Sequence, residues 1–399
     1  MAKWKECTIS DIGTVVGGAT PSTKNSENYE GGTIAWITPK DLSTFRGRYI
    51  KSGERNITEK GFKSCSTQLL PVNTVLFSSR APIGYVAIAE DVVCTNQGFK
   101  SVVPNADTDP LFLYYLLKYK KDVIENMGSG TTFKEVSGNT MKNIAVRVPT
   151  SKDEQRKIAE IIGSFDDKIE LNSEINNNLE EQAQAIFKSW FNDYEPFGGS
   201  APTDWIPTTF GQIAKIKTDT FSPIKNPNFI VEHYSIPSYD ERRYPVFEIA
   251  SGIKSNKYIL TSNSVMISKL NPDTKRIWRP MCLSENPVCS TEFIVYEAVN
   301  SAHKDFVYSI IDSMPFLNHL CSHTTGSTNS RQRATPKTTL EFPILLPSDE
   351  IIGNFCNIVT PIYEMITSNI IENQSLAKTR DALLPRLMSD ELDVFNINL

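Results

Sequence analysis

The sequence predicts an α+β protein built from two copies of one α/β module, separated by two long helices that pair as an antiparallel coiled coil. Three observations predict it: an internal repeat, two stretches of short β-branched runs broken by Gly, Pro and Asn, and two long segments with apolar residues at helical spacing. The 399 residues suffice for two or three domains. The composition, 40% hydrophobic and 22% charged, excludes a fibrous or wholly disordered chain.

The chain matches itself at a shift of roughly 190–200 residues. Near the start, Trp4, Thr8 and Ile12 recur as Trp205, Thr209 and Ile213. Further segments recur in the same order: Asn73–Ser78 as Asn263–Ser268, Cys94-Thr95 as Cys289-Ser290, Phe112–Tyr114 as Phe306–Tyr308, and Gly130–Thr132 as Gly326–Thr328. Such an ordered series at a nearly constant shift is hard to obtain by chance, so the chain is predicted to be an internal duplication.

The duplication divides the chain into two globular modules and two helical segments. The modules cover residues 1–150 and 205–346, the helical segments cover residues 151–195 and 347–399, and residues 196–204 form a turn-rich linker. Strands are predicted in both modules, at residues 75–80, 84–89, 101–104, 144–149, 264–270, 292–298 and 342–347. Each module also has one predicted short helix, around Phe112–Lys120 and Phe306–Ser313.

Capping signals mark the start of both long helices. Ser151 and Glu154 form a capping box, and the segment Pro347–Glu350 opens the second helix with acidic residues where the helix dipole favours them. The second helix contains Pro361, which predicts a kink or a restart. Pro385 predicts its end.

Both helices carry a narrow apolar stripe typical of a coiled-coil seam. In the first helix the stripe consists of Ile158, Ile162, Phe165, Ile169, Asn172, Asn176, Leu179, Ala183, Ile186 and Trp190. In the second it consists of Phe355, Val359, Ile362, Ile366, Asn369, Asn373, Leu376, Arg380, Leu383 and Leu387. A seam asparagine costs stability but specifies register and partner, so Asn172, Asn176, Asn369 and Asn373 are predicted to set the register of the helix pair. The alternative is that each helix covers only its own module, which usually requires a wider apolar face.

Charge is segregated along the chain. The net charge is −5, but the modules together carry +7, whereas residues 151–204 and 346–399 together carry −12. An acidic helix pair cannot be the surface that meets phosphates, whereas the modules can be if their basic residues cluster. Asn96, Gln97, Asn329 and Gln332 suit base contacts by residue type only, with turn formation or ordinary polar surface as the alternative.

Motifs that carry chemistry are absent from the sequence, which has no GxxxxGK[ST] phosphate loop, no GxSxG nucleophile elbow and no HExxH zinc motif. Asn271-Pro-Asp-Thr matches only the first two residues of an NPPY-type methyltransferase tetrapeptide. Seven cysteines without a CxxC pair indicate neither a zinc ribbon nor a disulfide framework, and a cytoplasmic location fits best. The sequence therefore predicts a binding and assembly protein with no catalytic residue, metal or cofactor of its own.

Residues 78–104, 130–191 and 383–394 resemble the specificity subunit of type I restriction–modification systems, and the resemblance extends over the whole chain. It implies two target recognition domains, each binding one half of an asymmetric bipartite site in double-stranded DNA. The two helical segments would then set the spacing and dock two modification (methyltransferase) subunits, and restriction (motor-nuclease) subunits would join them. S-adenosylmethionine, ATP and Mg would be bound only by those partners. Candidate DNA contacts in this chain are Arg80, Lys134, Lys269, Arg331 and Arg333.

Two departures qualify the resemblance. The second module has Lys269-Leu270 where the first has Ser79-Arg80, so the role of Arg80 does not transfer directly. Pro361 argues against a straight, symmetric helix pair. The alternative function is a duplicated protein-interaction scaffold without DNA binding, which would show no salt-dependent affinity for DNA.

Overall fold

The structure, a computed structural model, confirms the α+β prediction. It describes residues 3–80, 82–130, 134–325, 332–392 and 394. The chain forms two compact units: unit 1 consists of Met1–Glu170 and Ser375–Leu399, and unit 2 consists of Leu171–Gln374. Each unit therefore contains one copy of the repeated module together with parts of both long helices.

Short strands form three sheets in the described part of unit 1. Their bounds are β1 Trp4–Thr8, β2 Gly13–Gly17, β3 Ile34–Ile37, β4 Tyr49–Ile50, β5 Arg55–Ile57, β6 Val75–Ser79, β7 Ile83–Ala89, β8 Cys94–Thr95, β9 Lys100–Pro104 and β10 Ala145–Pro149. Strands β1 and β10 pair with each other, β5-β3-β8 form a second sheet, and the third has the order β2-β9-β6-β7-β4. All five residues of β6 are buried because this strand lies between β9 and β7.

The described part of unit 2 contains four sheets. Its strands are β11 Ile206–Thr209, β12 Ala214–Lys217, β13 Thr220–Phe221, β14 Ile230–Tyr234, β15 Val246–Ile249, β16 Lys257–Ile259, β17 Ser264–Ser268, β18 Ile277–Trp278, β19 Pro287–Ser290, β20 Phe293–Ala298, β21 Thr324–Thr325, β22 Arg333–Ala334 and β23 Pro343–Leu346. The sheet orders are β11-β23, β12-β20-β17-β18, β13-β16-β19-β14-β15 and β21-β22. Strand β17 is fully buried, as β6 is in unit 1.

Part of the sheet topology corresponds strand by strand between the two units. The pair β1-β10 corresponds to β11-β23, and the row β2-β9-β6-β7 corresponds to β12-β20-β17-β18. The parallel pairing of β3 with β8 corresponds to that of β14 with β19. The duplication predicted from the sequence is therefore present in the hydrogen-bonding topology, although the match between Gly130–Thr132 and Gly326–Thr328 falls largely outside the described residues.

The helices comprise short ones within the modules and two long ones. Their bounds are α1 Ile9–Ile12, α2 Pro39–Thr44, α3 Glu59–Lys63, α4 Pro110–Tyr119, α5 Lys121–Asn126, α6 Gly138–Lys142, α7 Lys152–Phe191, α8 Ile236–Arg242, α9 Lys304–Asp312, α10 Met314–Ser322, α11 Pro336–Thr339 and α12 Asp349–Met388. The predicted short helices are α4 and α9. Helix α4 begins where the Asp109 carboxylate accepts the free N–H groups of Leu111 and Phe112, both at 3.0 Å.

The expectations that the second long helix restarts at Pro361 and ends at Pro385 are wrong, because α12 continues through both prolines over its 40 residues, whereas a kink at Pro361 stays a prediction. Each proline removes one N–H donor from the helix. Around Pro361, however, the side chains of Phe355, Val359 and Tyr363 are buried in the core of unit 2. Tertiary packing of this face therefore outweighs the local loss.

Helix α12 ends in a Schellman turn rather than at the proline. Asp390 has a φ of +65°, in the left-handed region, and the N–H of Glu391 donates to the carbonyl oxygen of Arg386 at 3.1 Å. This pattern satisfies one of the last helical carbonyls, so it stops the helix three residues beyond Pro385.

Both long helices contribute to the core of each unit. The core of unit 1 contains Ile158 and Ile162 from the start of α7 and Leu387 from the end of α12. The core of unit 2 contains Phe187 from the end of α7 and Phe355 from the start of α12. Each helix thus begins in the core of its own module and ends in the core that contains the other module. The alternative in which each helix covers only its own module is therefore wrong.

A buried ion pair links the two helices within unit 1. Asp166 on α7 is 5% exposed and accepts a hydrogen bond from the Tyr115 hydroxyl at 2.7 Å and another from the guanidinium of Arg380 on α12. Arg380 also bonds its neighbour Asp381. Arg380 is the one charged position in the predicted apolar stripe, and the buried carboxylate explains why it is charged.

The seam asparagines meet in two antiparallel pairs within unit 2. The amide of Asn172 donates to the Asn373 side-chain oxygen at 2.9 Å and to the Glu372 carboxylate at 2.7 Å. The amide of Asn369 donates to the Asn176 side-chain oxygen at 2.8 Å. Asn172 and Asn176 are both buried. The structure thus brings the four predicted residues together, and their role in setting the register stays a prediction.

Replacing Arg380 with alanine should lower the free energy of unfolding by about 3 kcal/mol, because the buried Asp166 carboxylate would lose its charged partner. Urea denaturation followed by circular dichroism measures this change. Arg386→Ala is the matched control on the same helix, since Arg386 pairs with Glu391 at an exposed position and should matter little. Equal losses for both variants would contradict the assignment.

Replacing only Asn172 with leucine should cost about 1 kcal/mol, because the half-buried Asn373 side-chain oxygen and the exposed Glu372 carboxylate would lose the hydrogen bonds that the Asn172 amide donates. Replacing all four seam asparagines with leucine should leave the chain folded but loosen register or partner choice. Thermal unfolding and light scattering measure stability and self-association. A four-leucine variant that keeps a single register and the wild-type association state would refute the register role.

Candidate nucleic-acid interface

In both units, three segments meet at the end of the most buried strand. In unit 1 the N–H of Ser79, the last residue of β6, donates to the carbonyl of Gly98 at 2.7 Å. Its own carbonyl accepts from the N–H of Val136 at 2.9 Å. In unit 2, Lys269 donates in the same way to Glu292, and accepts from Ala334, each at 2.9 Å.

We call this arrangement the strand-end junction. In unit 1 it comprises Ser79-Arg80, the loop 96–98 and residues 134–136; in unit 2 it comprises Lys269-Leu270, the loop 290–292 and residues 332–334. Backbone bridges join Arg80 to Glu135 and Leu270 to Arg333, so the two junctions are built alike. A shared frame carrying unlike side chains is suited to recognising two different surfaces.

The junction of unit 1 holds basic side chains around one carboxylate. A guanidinium nitrogen of Arg80 (Nη1) lies 3.9 Å from one oxygen of Glu135 (Oε2), and the ammonium of Lys100 lies 3.4 Å from the other. The Arg80 side chain is 36% exposed, and Lys134 is exposed beside it. Both predicted contacts of this module therefore reach solvent at the same place.

The junction of unit 2 holds a two-point ion pair. The guanidinium of Arg333 donates to both oxygens of Glu292, at 3.0 and 3.1 Å, while 48% of the arginine side chain stays exposed. These hydrogen bonds to Glu292 raise the pKa of Arg333 above its ordinary value. Lys269 is half-buried in the same junction, and Arg331 lies outside the described residues.

The two junctions place their arginine on different segments. In unit 1 the arginine, Arg80, ends the strand and the carboxylate, Glu135, lies on the facing segment. In unit 2 Leu270 takes the position of Arg80, and Arg333 takes that of Glu135. The position of Arg80 is therefore occupied by a leucine in the second module, as the sequence comparison indicated.

Two residues chosen by type serve the local backbone or a neighbouring side chain. The side-chain oxygen of Asn96 accepts the N–H of Gly98 at 2.8 Å, which forms the turn before β9. Gln97 accepts a hydrogen bond from the Thr20 hydroxyl. The carbonyl of Gln332 accepts from Asn271 at 2.9 Å, and Asn329 lies outside the described residues.

The basic residues at positions 275–279 of the second module pair with carboxylates that are distant in sequence. Lys275 meets Asp312 at 2.7 Å, and Arg276 makes two hydrogen bonds to Asp240, at 2.7 and 3.0 Å. Arg279 binds Asp305 at 2.7 and 3.1 Å. These cations therefore link elements within unit 2. Sequence reasoning could not detect this, because the acidic partners are tens of residues away.

Sequence reasoning also missed Glu135 and Glu292 as parts of the two junctions. Each is a single acidic residue close to basic or polar residues, a pattern that is common on protein surfaces. The signal that could have found them is their position, because Glu135 follows Lys134 and Glu292 follows the repeated Cys289-Ser290 pair. Among the described residues, no group of three or more His, Cys, Asp or Glu side chains is placed to hold a metal ion. No helix within the described ranges is long and apolar enough to cross a membrane.

Comparisons with known proteins agree on one family. A family model for the type I restriction modification DNA specificity domain matches residues 1–181. The chain is 34% identical over 414 residues to the type I restriction enzyme MjaIX specificity subunit of Methanocaldococcus jannaschii, covering 98% of this chain and 94% of the relative. It is 25% identical to the HindI specificity subunit of Haemophilus influenzae, covering 98% of this chain and 100% of the relative.

A solved structure has the same fold. It is the crystal structure of the type I restriction–modification system S subunit from M. genitalium, with a TM-score of 0.61 and 17% sequence identity. The match covers 97% of this chain and 96% of that one. The near full-length relatedness to the M. jannaschii subunit, together with the duplicated fold, shows that this chain belongs to the family of type I restriction enzyme specificity subunits.

Proposed function

We propose that this chain is the DNA sequence-specificity subunit of a type I restriction–modification complex, in which each module binds one half of an asymmetric bipartite site. The observation that carries the proposal is the strand-end junction, present in both units with the same backbone frame but different side chains. Two unlike half-sites require this combination, because base contacts specify sequence while a common scaffold positions them. Membership in the family favours this function over a protein-interaction scaffold.

The long helices supply the second part of the proposed function. Each is continuous for 40 residues, so its length is set by the number of helical residues. We assign to the helix pair the spacing between the two half-sites and the docking of two modification subunits. Restriction subunits would join the same complex. This complex would act on double-stranded DNA in the cytoplasm.

The proposed chemistry belongs to the partner subunits. The modification subunits would transfer a methyl group from S-adenosylmethionine to adenine, and the restriction subunits would use ATP and Mg for cleavage. This chain contributes binding and positioning. Burial raises the pKa of the Cys94 thiol to about 12 and that of Cys282 to about 11, so both stay protonated at neutral pH and are poor nucleophiles.

Cells that make this chain with its modification subunits should methylate adenine in one motif with two defined halves and an unspecified gap. Sequencing of methylated bases across the genome measures the motif directly. Cells with the modification subunits alone are the control and should lack this methylation. A continuous motif without a gap would contradict the proposal.

Arg333→Ala and Arg80→Ala should each weaken DNA binding, and the pattern of loss identifies the contact. A base-contacting arginine should cost about 1–3 kcal/mol and relax one position of the motif, whereas a phosphate contact should weaken all sequences alike and reduce the salt slope by about one. Titrations at several salt concentrations measure both. Arg386→Ala is the control, because its exposed pair with Glu391 lies outside the junctions. Unchanged affinity and motif in both variants would remove these arginines from the interface.

A further inference from the structure

We propose that Glu135 and Glu292 are specificity-determining residues. Their carboxylates pair with the interface arginines and so keep them from binding DNA that lacks the correct half-site. The inference rests on the proposed function and adds to it a role for two acidic side chains. Each carboxylate occupies a place that a DNA phosphate or base edge would take. DNA can therefore contact the arginine only by displacing the glutamate.

The geometry in unit 2 carries the inference furthest. Arg333 presents two parallel N–H groups to the two oxygens of Glu292, at 3.0 and 3.1 Å. The same two-point geometry lets arginine bind a phosphate or the O6 and N7 atoms of guanine. Glu292 therefore occupies the two N–H groups of Arg333 that could bind DNA, and its carboxylate resembles a phosphate in shape and negative charge.

Unit 1 reaches the same result with different positions. Glu135 lies on the segment that faces Arg80, and its two oxygens are shared between Arg80 at 3.9 Å and Lys100 at 3.4 Å. The arginine and the glutamate have therefore changed segments between the modules, yet each junction still pairs its arginine with a carboxylate. Because the arginine–carboxylate pair is kept although its residues lie on different segments, we infer that the pair itself contributes to DNA recognition.

Solvent exposure separates these pairs from a buried pair such as that of Arg48. Arg48 pairs with Asp167 and Glu170, but its side chain is only 7% exposed, so it cannot reach a ligand. The side chains of Arg80 and Arg333 are 36% and 48% exposed. Exposed ion pairs are weak because water and salt screen them, so a well-placed DNA group can replace the carboxylate.

The displaced carboxylate then lowers the affinity for DNA of the wrong sequence. A glutamate left beside the phosphate backbone without its arginine raises the energy of the complex by like-charge repulsion. A correct half-site offsets this repulsion through base contacts, whereas an incorrect sequence offers only phosphates. The carboxylate therefore lowers affinity for all DNA, but lowers it most for DNA that makes no base contact.

The test uses the full chain with Glu135→Gln, Glu292→Gln and the double variant. Glutamine keeps the side-chain shape and the backbone hydrogen bonds but removes the charge. Glu341→Gln is the matched control, because it removes one charge from an exposed position outside both junctions. The probes are poly(dA-dT) and poly(dG-dC) duplexes for unspecific binding, and a duplex that carries the methylated motif for specific binding.

Each junction variant should bind the unspecific duplexes roughly two- to fivefold more tightly than the wild type. The salt slope should become steeper by about 0.9 for each cation released to a phosphate. Affinity for the motif should rise less, so the ratio of specific to unspecific binding should fall. Circular dichroism confirms that the variants are folded, and a purely structural role would not increase affinity.

Two results would overturn the inference without touching the proposed function. The junction variants could match Glu341→Gln in affinity and salt slope, which would show that the carboxylates do not compete with DNA. They could instead lose affinity for the motif and change its preferred bases, which would make the glutamates base contacts. If the wild-type chain binds none of the duplexes in a salt-dependent way, the proposed function itself fails.

Discussion

The structure depends on an exchange of helix ends between the two repeated modules. The core of unit 1 needs Leu387 and Met388 from the helix that follows the second module. The core of unit 2 needs Ala183 and Phe187 from the helix that follows the first. Neither core is complete with its own module alone, so hydrophobic burial couples the formation of the two units.

Buried polar groups make this exchange specific. Apolar packing is tolerant of register, because many arrangements bury a similar area. The contact of Arg380 with Asp166 and the amide pairs of Asn172 and Asn176 are not tolerant, since a displaced helix would leave buried groups without partners. The two sets differ between units: unit 1 uses a charged pair with Tyr115, whereas unit 2 uses the asparagine amide pairs. The two long helices are therefore paired through different polar groups in each unit.

The same division between a shared frame and unlike side chains applies to the strand-end junctions. Backbone hydrogen bonds of Ser79 and Lys269 are equivalent, so the three segments of each junction are positioned in the same way. The side chains that project from them are not equivalent, because Leu270 replaces Arg80 and Arg333 replaces Glu135. The duplication therefore preserves the backbone that positions the junction side chains and varies the chemistry of those side chains.

The sequence by itself determined the duplication, the strands β6, β7, β9, β10, β17, β20 and β23, the two long helices and the seam asparagines, because these follow from local periodicity and from matches along one chain. The other, mostly shorter strands were not predicted. The sequence also indicated that the modules carry the basic residues. Only the tertiary structure decided that α12 passes through Pro361 and Pro385, since packing of side chains such as Phe355 outweighs the missing N–H groups. Likewise, which cations are paired depends on carboxylates distant in sequence, as with Arg279 and Asp305 or Arg333 and Glu292. Long-range contacts of this kind leave no periodic signal in a single sequence, so the partners of Arg80 and Arg333 became visible only in the folded chain.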